Sequence, residues 1–269
     1  MVVRRFIVLL LLLLSGCGIS NQQQTVIKIA LLAPFEGRYR EVGYDALYAS
    51  RLAIADSGYQ NIDLLAIDDG GHVESAIDRA HAIQNDPTIA MTLILGIHAA
   101  DSDVQAAFGE RPILIIGHWN TQPTGANVAI LASRDVESRL STPQPANITA
   151  LSDLRTPIIG SELLALKQFP MLYDNLSAIT VISSATLPDT DFAQRYIDSN
   201  GFAPQPSLLT SLTYDATRLA IDSIVRETPL HDIVYEGING TISFDENGYW
   251  QDAPIYEYHY ENGILVQQR

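Results

Sequence analysis

An α/β protein built on parallel strands is what the sequence predicts, and three observations point to it. Residues 26–33 (VIKIALLA), 62–67, 89–95 and 113–116 are short, largely unbroken apolar runs rich in Ile, Leu and Val. Such runs suit strands buried on both faces. The stretches between them carry apolar residues at helical spacing. Gly or Pro stands at most junctions, so strand and helix alternate from residue 26 to 116.

The elements follow in order. Pro34 closes the first strand, and the loop 34–43 contains glycine. Val42, Ala46, Ala49 and Ala53 then share one helix face, and Gly58 stops that helix. After the strand 62–67, Asp68-Asp69-Gly70-Gly71 reads as a turn. The helix 73–85 presents Val73, Ala76, Ile77, Ala80 and Ile83. The strand 89–95 ends at Gly96, a short helix occupies 99–109, and Arg111-Pro112 leads into 113–116. In such a sheet the ligand-bearing loops lie beyond the carboxyl ends of the strands. Here those loops are 34–43, 68–72, 97–101 and 117–121.

The second part is less regular. Residues 127–132 and 157–159 read as strands, with weak helical signals at 136–140 and 148–154. Gly160-Ser161-Glu162 caps a helix start. A strand at 178–183 and a helix at 192–200 follow. Ser207 is a plausible start for the next segment, and 214–226 is a clear helix. Residues 241–244 and 255–260 read as two strands around the turn 245–248, and Asn262-Gly263 is a last tight turn.

Composition narrows the function. The 269 residues hold 31 acidic and 16 basic side chains, a net charge of −15. Phosphate binding needs clustered Lys and Arg, so nucleic acid is not an expected partner. A single cysteine excludes an internal disulfide framework and a cysteine-rich zinc site.

Arg4 and Arg5 precede an unbroken apolar run over 6–14. A bilayer span needs about 20 residues, so this run fits a signal-peptide core instead. It ends in Leu14-Ser15-Gly16-Cys17, which resembles the lipobox of bacterial lipoproteins, whose cysteine is lipidated and becomes the mature N-terminus. Residues 1–16 are then a removed signal, Cys17 the lipidation site and 17–25 a tether. The expected location is outside the cytoplasmic membrane, held to it by the lipid.

The chain lacks the G-x-S-x-G, H-E-x-x-H and P-loop patterns. Asp68, Asp69 and His72 carry metal-ligand chemistry, but a solvated acidic turn explains them more simply. His98, Asp101, Ser102 and Asp103 are pieces of a hydrolase triad, yet Asp101 serves equally as a helix N-cap. The sequons at Asn147, Asn175 and Asn239 are taken as chance. His118-Trp119-Asn120 follows the fourth strand, where Trp offers a flat wall for a small ligand and its neighbours offer polar contacts.

With these residues in view, the chain resembles the type I periplasmic solute-binding proteins, specifically the branched-chain amino-acid (Leu/Ile/Val) binding family of ABC importers. IKIALLAPFEGRYREVGYDALYASRLAIADSG resembles the family's opening strand, loop and helix. IDLLAIDDGG, ILGIHAADSDVQAAF and RPILIIGHW follow in the family's order. LRTPIIGSELL, LPDTDFAQRYIDSNGFAP, SLTYDATRLAIDSI and INGTISFDENG resemble its closing half. The resemblance implies two α/β lobes of parallel sheets flanked by helices, joined by hinge strands, with the ligand between them. It places 26–120 in a first lobe, with part of 205–240, and 121–269 in a reduced second lobe with returning hinge segments.

Site residues follow from the same resemblance. The family's carboxylate-binding Ser falls on Ala100, leaving the backbone of Ala99 and Ala100, beside His98, as the donors. Its small residues and Thr after the fourth strand fall on His118, Trp119 and Asn120. Its acidic residue for the ammonium group matches Glu162. Ser133 and Arg134 stand where it has aromatic contacts, Arg134 offering a bidentate partner to a carboxylate. Tyr39 covers the ligand. Against the family's length, roughly one βαβ unit or more is expected to be missing between Asn120 and Asn127. The implied function is capture of an amino acid or similar small polar metabolite for an importer permease, by a monomer without cofactor. A degenerate sensing or scaffolding lipoprotein is the alternative, and an extracytoplasmic enzyme a weaker one.

Overall fold

The computed structural model describes residues 25–140 and 157–268. The expected signal peptide, lipidated Cys17, most of the tether and the helical signal at 148–154 lie outside the described residues. In chain order the elements begin β1 (Ile27–Ala33), α1 (Arg40–Ser57), β2 (Ile62–Asp68), α2 (Val73–Asn85) and β3 (Ile89–Ile94). They continue with α3 (Ser102–Ala107), β4 (Ile113–Ile116), β5 (Val128–Leu131) and α4 (Arg134–Arg139). After 157 come β6 (Ile158–Gly160), α5 (Phe169–Leu172), β7 (Ile179–Ser183), α6 (Thr190–Ser199) and α7 (Leu208–Arg226). Last are β8 (Tyr235–Gly237), β9 (Gly240–Ile242), β10 (Tyr256–Glu261) and β11 (Ile264–Gln267).

Five parallel strands form the first sheet in the order β2-β1-β3-β4-β5. β1, β3 and β4 become strands covered on both faces, whereas β2 at the sheet edge is buried only at Ile62. Ile29 to Ala33, Leu93 to Leu95 and Ile113 to Ile116 are all fully buried. The helix face read from 3.6-residue spacing on α1 is the buried one, and Val42, Ala46, Ala49 and Ala53 have no exposed surface. Gly58 ends α1 in the left-handed conformation, its N–H bonded to the Ala55 carbonyl.

Helix starts follow the side chains available. Asp101 accepts the Asp103 N–H at the start of α3, and Asp189 accepts the Phe192 N–H at the start of α6. Ser207 and Thr210 form a reciprocal capping box on α7. That helix begins six residues before the expected 214, because Leu208, Leu209 and Leu212 extend its buried face.

Buried polar links hold α1, α6 and α7 together. The Asp45 carboxylate on α1 accepts hydrogen bonds from Tyr196 on α6 and from Ser207 and Thr210 on α7. Burial pushes the Asp45 carboxyl up to about 6, against the lowering effect of its three hydroxyl donors.

The second sheet is smaller and mixed, in the order β11-β10-β7-β6. β6 and β7 are parallel, and the β10–β11 hairpin adds antiparallel strands around Asn262-Gly263. Several expectations change here. β5 is not the opening strand of the second lobe: Val128 pairs with Ile113 and Leu131 with Ile116, so a boundary at 120/121 would cut the first sheet. β4 and β5 are register-paired neighbours, and residues 117–127 connect them directly. Residues 240–242 also pair backward with β8 rather than forward with 255–260. β9 turns at Asn239, whose buried side chain bonds Asp215 on α7, so this sequon is structural.

Candidate functional site

The first sheet reverses its winding at β1, which has β2 on one side and β3 on the other. Loops leaving adjacent strands on opposite sides of such a point open a crevice above the strand ends. Two cavities lined by described residues lie in this region. One, of about 310 Å³, lies over β1, β2 and β3 and is walled by Pro34, Tyr39, Asp69, Gly96, His98 and Trp119. The other, of about 560 Å³, lies over β3 and β4 and includes Asp101, Ser102, Trp119, Asn120, Thr121 and Leu163. Ile97 and Trp119 line both, so one wall separates the two chambers.

Trp119 is fixed rather than adaptable. It is 6% exposed and its indole N–H donates to the Ile116 carbonyl at 2.6 Å. Asn120 adopts φ 56°, a left-handed conformation that Asn tolerates, and so turns the chain into the larger chamber. Gln105 on α3 ties the chamber's rim, donating to Thr121 Oγ1 at 2.8 Å and accepting from the Thr124 N–H at 3.1 Å.

Glu162 sits elsewhere. It is 2% exposed, and its Oε1 lies 3.1 Å from His118 Nδ1. Ser183 Oγ donates to Oε1 at 2.5 Å, and the His118 backbone N–H donates to Oε2 at 3.3 Å. The other ring nitrogen of His118 lies 3.2 Å from the Ser133 carbonyl oxygen. Both ring nitrogens of His118 thus face oxygen atoms, those of Glu162 and of the Ser133 backbone carbonyl. Burial raises the Glu162 carboxyl, but the His118 charge and the hydrogen bonds from His118 and Ser183 outweigh it and leave it lowered. The carboxylate expected to meet a ligand ammonium is therefore already engaged by His118 and Ser183 of its own chain.

The remaining expected residues divide. His118, Trp119 and Asn120 line the larger chamber; Tyr39, His98 and Trp119 line the smaller. Ala99 and Ala100 are fully buried and line neither. Ser133 is buried as the partner of His118, and its N–H donates to Ser184 Oγ at 3.2 Å. Arg134 lies over the Tyr249 ring at 4.7 Å and lines a separate cavity with His231 and Glu246. Arg134 lines neither of the two central chambers, so it is not placed as a carboxylate clamp inside them.

The sequence reading missed Asp69. An acidic Asp-Asp-Gly-Gly turn is expected to be solvated, but Asp69 is 1% exposed. Its Oδ1 accepts the Gly71 N–H at 2.8 Å, and its Oδ2 has no hydrogen-bond partner among the described residues. Asp68 is fully used, accepting from the N–H groups of Phe35, Glu36 and Gly70. His72 caps α2 through Nδ1, accepting the Ser75 N–H. Among the described residues there is no group of His, Cys, Asp and Glu placed to hold a metal ion. Asp101, likewise, is an N-cap rather than part of a triad.

Solved structures share this fold. A leucine-binding protein LivK from Thermotoga maritima superposes with a TM-score of 0.69 at 12% identity, covering 91% of this chain and 98% of its own. The substrate-binding protein LivJ of a branched-chain amino-acid transporter from Streptococcus pneumoniae, in complex with isoleucine, gives 0.64 at 13%, covering 91% and 100%. A solute-binding protein of an ABC transporter from R. palustris, in complex with 4-hydroxybenzoate, gives 0.66 at 10%, covering 91% and 96%. The fold is that of the ABC-importer solute-binding proteins. No protein-family model matches the chain, and no curated protein matches it by sequence. Within that binding-protein fold, the two chambers lie where strand-end loops of the first lobe face the second lobe at Leu163. Among the described residues no helix is long and apolar enough to cross a membrane.

Proposed function

We propose that the chain is a lipid-anchored, extracytoplasmic solute-binding protein that captures a small polar metabolite, an amino acid or a related compound, for an ABC importer. The observation that carries this reading is the pair of chambers at the switch point of a binding-protein fold, sharing Trp119 as a rigid wall. Their volumes suit a metabolite-sized ligand. Trp119 and Ile97 take its apolar part, while Asn120, Thr121, Ser102 and Asp101 supply donors and acceptors. Tyr39 and His98 close the smaller chamber. The LivJ and R. palustris relatives in fold, with isoleucine and 4-hydroxybenzoate, set the size class.

The chain carries only two Trp residues, Trp119 and Trp250. Trp250 bonds the Thr241 carbonyl in the β8–β9 region, away from both chambers. A bound solute should therefore change the emission of Trp119 saturably. The test is a fluorescence titration of the Trp250→Phe protein with amino acids, amines and aromatic carboxylates. A saturable change with one chemical class, lost in Trp119→Phe, supports the reading. A folded protein whose emission answers to no class would overturn it.

The alternative of a degenerate member with no transported ligand has one observation in its favour. The His118–Glu162 pair occupies the carboxylate that the resemblance assigns to an amino acid's ammonium group. A scaffold of this kind would melt identically with and without solutes.

A further inference from the structure

Asp69, a residue lining the smaller chamber, carries a buried carboxylate oxygen, Oδ2, without a hydrogen-bond partner among the described residues. Buried acceptors in folded proteins are nearly always satisfied, and an unsatisfied carboxylate oxygen is costly. Glu36 and Arg38 also line the chamber, and the two acids of the turn after β2 have distinct uses. Asp68 is spent on three backbone N–H groups that pin the β1 and β2 loops, and Asp69 Oδ1 is spent on Gly71. Gly96 keeps the space open: a Cβ there would stand 2.9 Å from Pro34 Cδ and 3.6 Å from Asp69 Oδ2.

We propose that Asp69 Oδ2 is the acceptor for a protonated amine of the ligand, so that the cationic subsite lies on the first lobe, over the switch point, and not at Glu162. This deepens the solute-binding reading and rests on it. The position fits the chemistry. The cavity sits where the loops after β1, β2 and β3 converge, and it opens to the larger chamber past Ile97 and Trp119. A ligand amine at Asp69 thus leaves the rest of the molecule to lie against Trp119. Burial raises the Asp69 carboxyl despite the Gly71 N–H, and a cation at Oδ2 offsets that cost. The acceptor calls for an N–H donor, so primary amines fit and quaternary ammonium ions of equal charge do not.

The experiment is a thermal melt of the purified full-length protein with putrescine, agmatine and ethanolamine at millimolar concentration. Tetramethylammonium and acetate are the matched controls. The expected result is stabilisation by at least one primary amine and by neither control. Asp69→Asn should weaken that amine's apparent affinity roughly ten- to hundred-fold, the loss expected for a charge-assisted hydrogen bond. The ligand-free Asp69→Asn protein should melt no lower than the parent, since Oδ1 keeps its N–H and the unpartnered oxygen is relieved. A carboxylate with a purely structural role would instead lower that melt. Equal stabilisation by tetramethylammonium, or undiminished stabilisation of Asp69→Asn, overturns the proposal. Stabilisation by acetate or uncharged solutes alone overturns it and leaves solute binding standing. No response to any compound overturns both. Should Asp69→Asn fail to fold, the contrast between primary and quaternary cations on the parent protein decides alone.

Discussion

His118 and Glu162 form a buried ion pair that joins the two sheets, with 3.1 Å between Nδ1 and Oε1. His118 follows β4 of the first sheet, and Glu162 follows β6 of the second. Ser161 Oγ also donates to the His118 carbonyl, and Ser133 N–H to Ser184 Oγ, so this contact is a seam of several bonds. The interaction a ligand ammonium would make in the resembled family is made here by the protein itself.

Removing one member of this pair leaves a buried, uncompensated charge. Glu162→Gln is expected to lose about 3–5 kcal/mol. For a domain of this size that lowers the melting temperature by roughly 6–20 °C. His118→Gln with Glu162→Gln should cost clearly less than the sum of the two single changes. Additive losses in a double-mutant cycle by denaturant titration would show that the two side chains are not coupled.

Asp45 makes stability depend on pH. Its carboxyl is raised from 3.8 to about 6, so the folded state holds the proton more tightly than the unfolded chain. The sign follows: stability from this group is greatest below pH 4 and falls as pH rises through 4–6. The linked change is on the order of 3 kcal/mol. Comparing urea midpoints of parent and Asp45→Asn from pH 4 to 7 checks it. The difference between the two should change across that window and level off above it. A pH-independent difference would contradict the assignment.

Gly96 holds φ at +106°, a conformation that side chains disfavour, beside Pro34 and the smaller chamber. Gly96→Ala should destabilise by about 1–3 kcal/mol and weaken any ligand reaching Asp69. Both effects are read from one thermal-melt series with and without solute.

Cys17 is proposed as the lipid site. Cys17→Ala should move the protein from the membrane fraction to the soluble extracytoplasmic fraction, and mass spectrometry of the parent should find Cys17 acylated. A parent chain lacking acylation at Cys17 would contradict the anchor.

The first lobe was legible in the sequence because its strands are continuous apolar runs and its helices carry small apolar residues at helical spacing. Val42, Ala46, Ala49 and Ala53 are the clearest instance. The second lobe was less so. β8 is only three residues long, so nothing in composition marked it as the partner of β9. The assignment of β5 failed because local pattern gives a strand's existence and not its neighbours. The site was legible as loops and not as contacts. Trp119 was visible from its place after β4. The His118–Glu162 pair spans 44 residues and two sheets, and the buried unpartnered oxygen of Asp69 hides in a turn that reads as solvated.

The central claim is that the chambers around Trp119 hold a small solute, and a thermal-melt screen tests it most directly. The purified protein and its Trp119→Ala variant would be heated with amino acids, amines and small aromatic carboxylates. A solute at 100 times its dissociation constant stabilises the native state by about 2.7 kcal/mol. The account predicts that one chemical class raises the parent's melting temperature by roughly 5–10 °C and that Trp119→Ala loses the shift. A parent protein that melts cooperatively at the same temperature with every compound would contradict it.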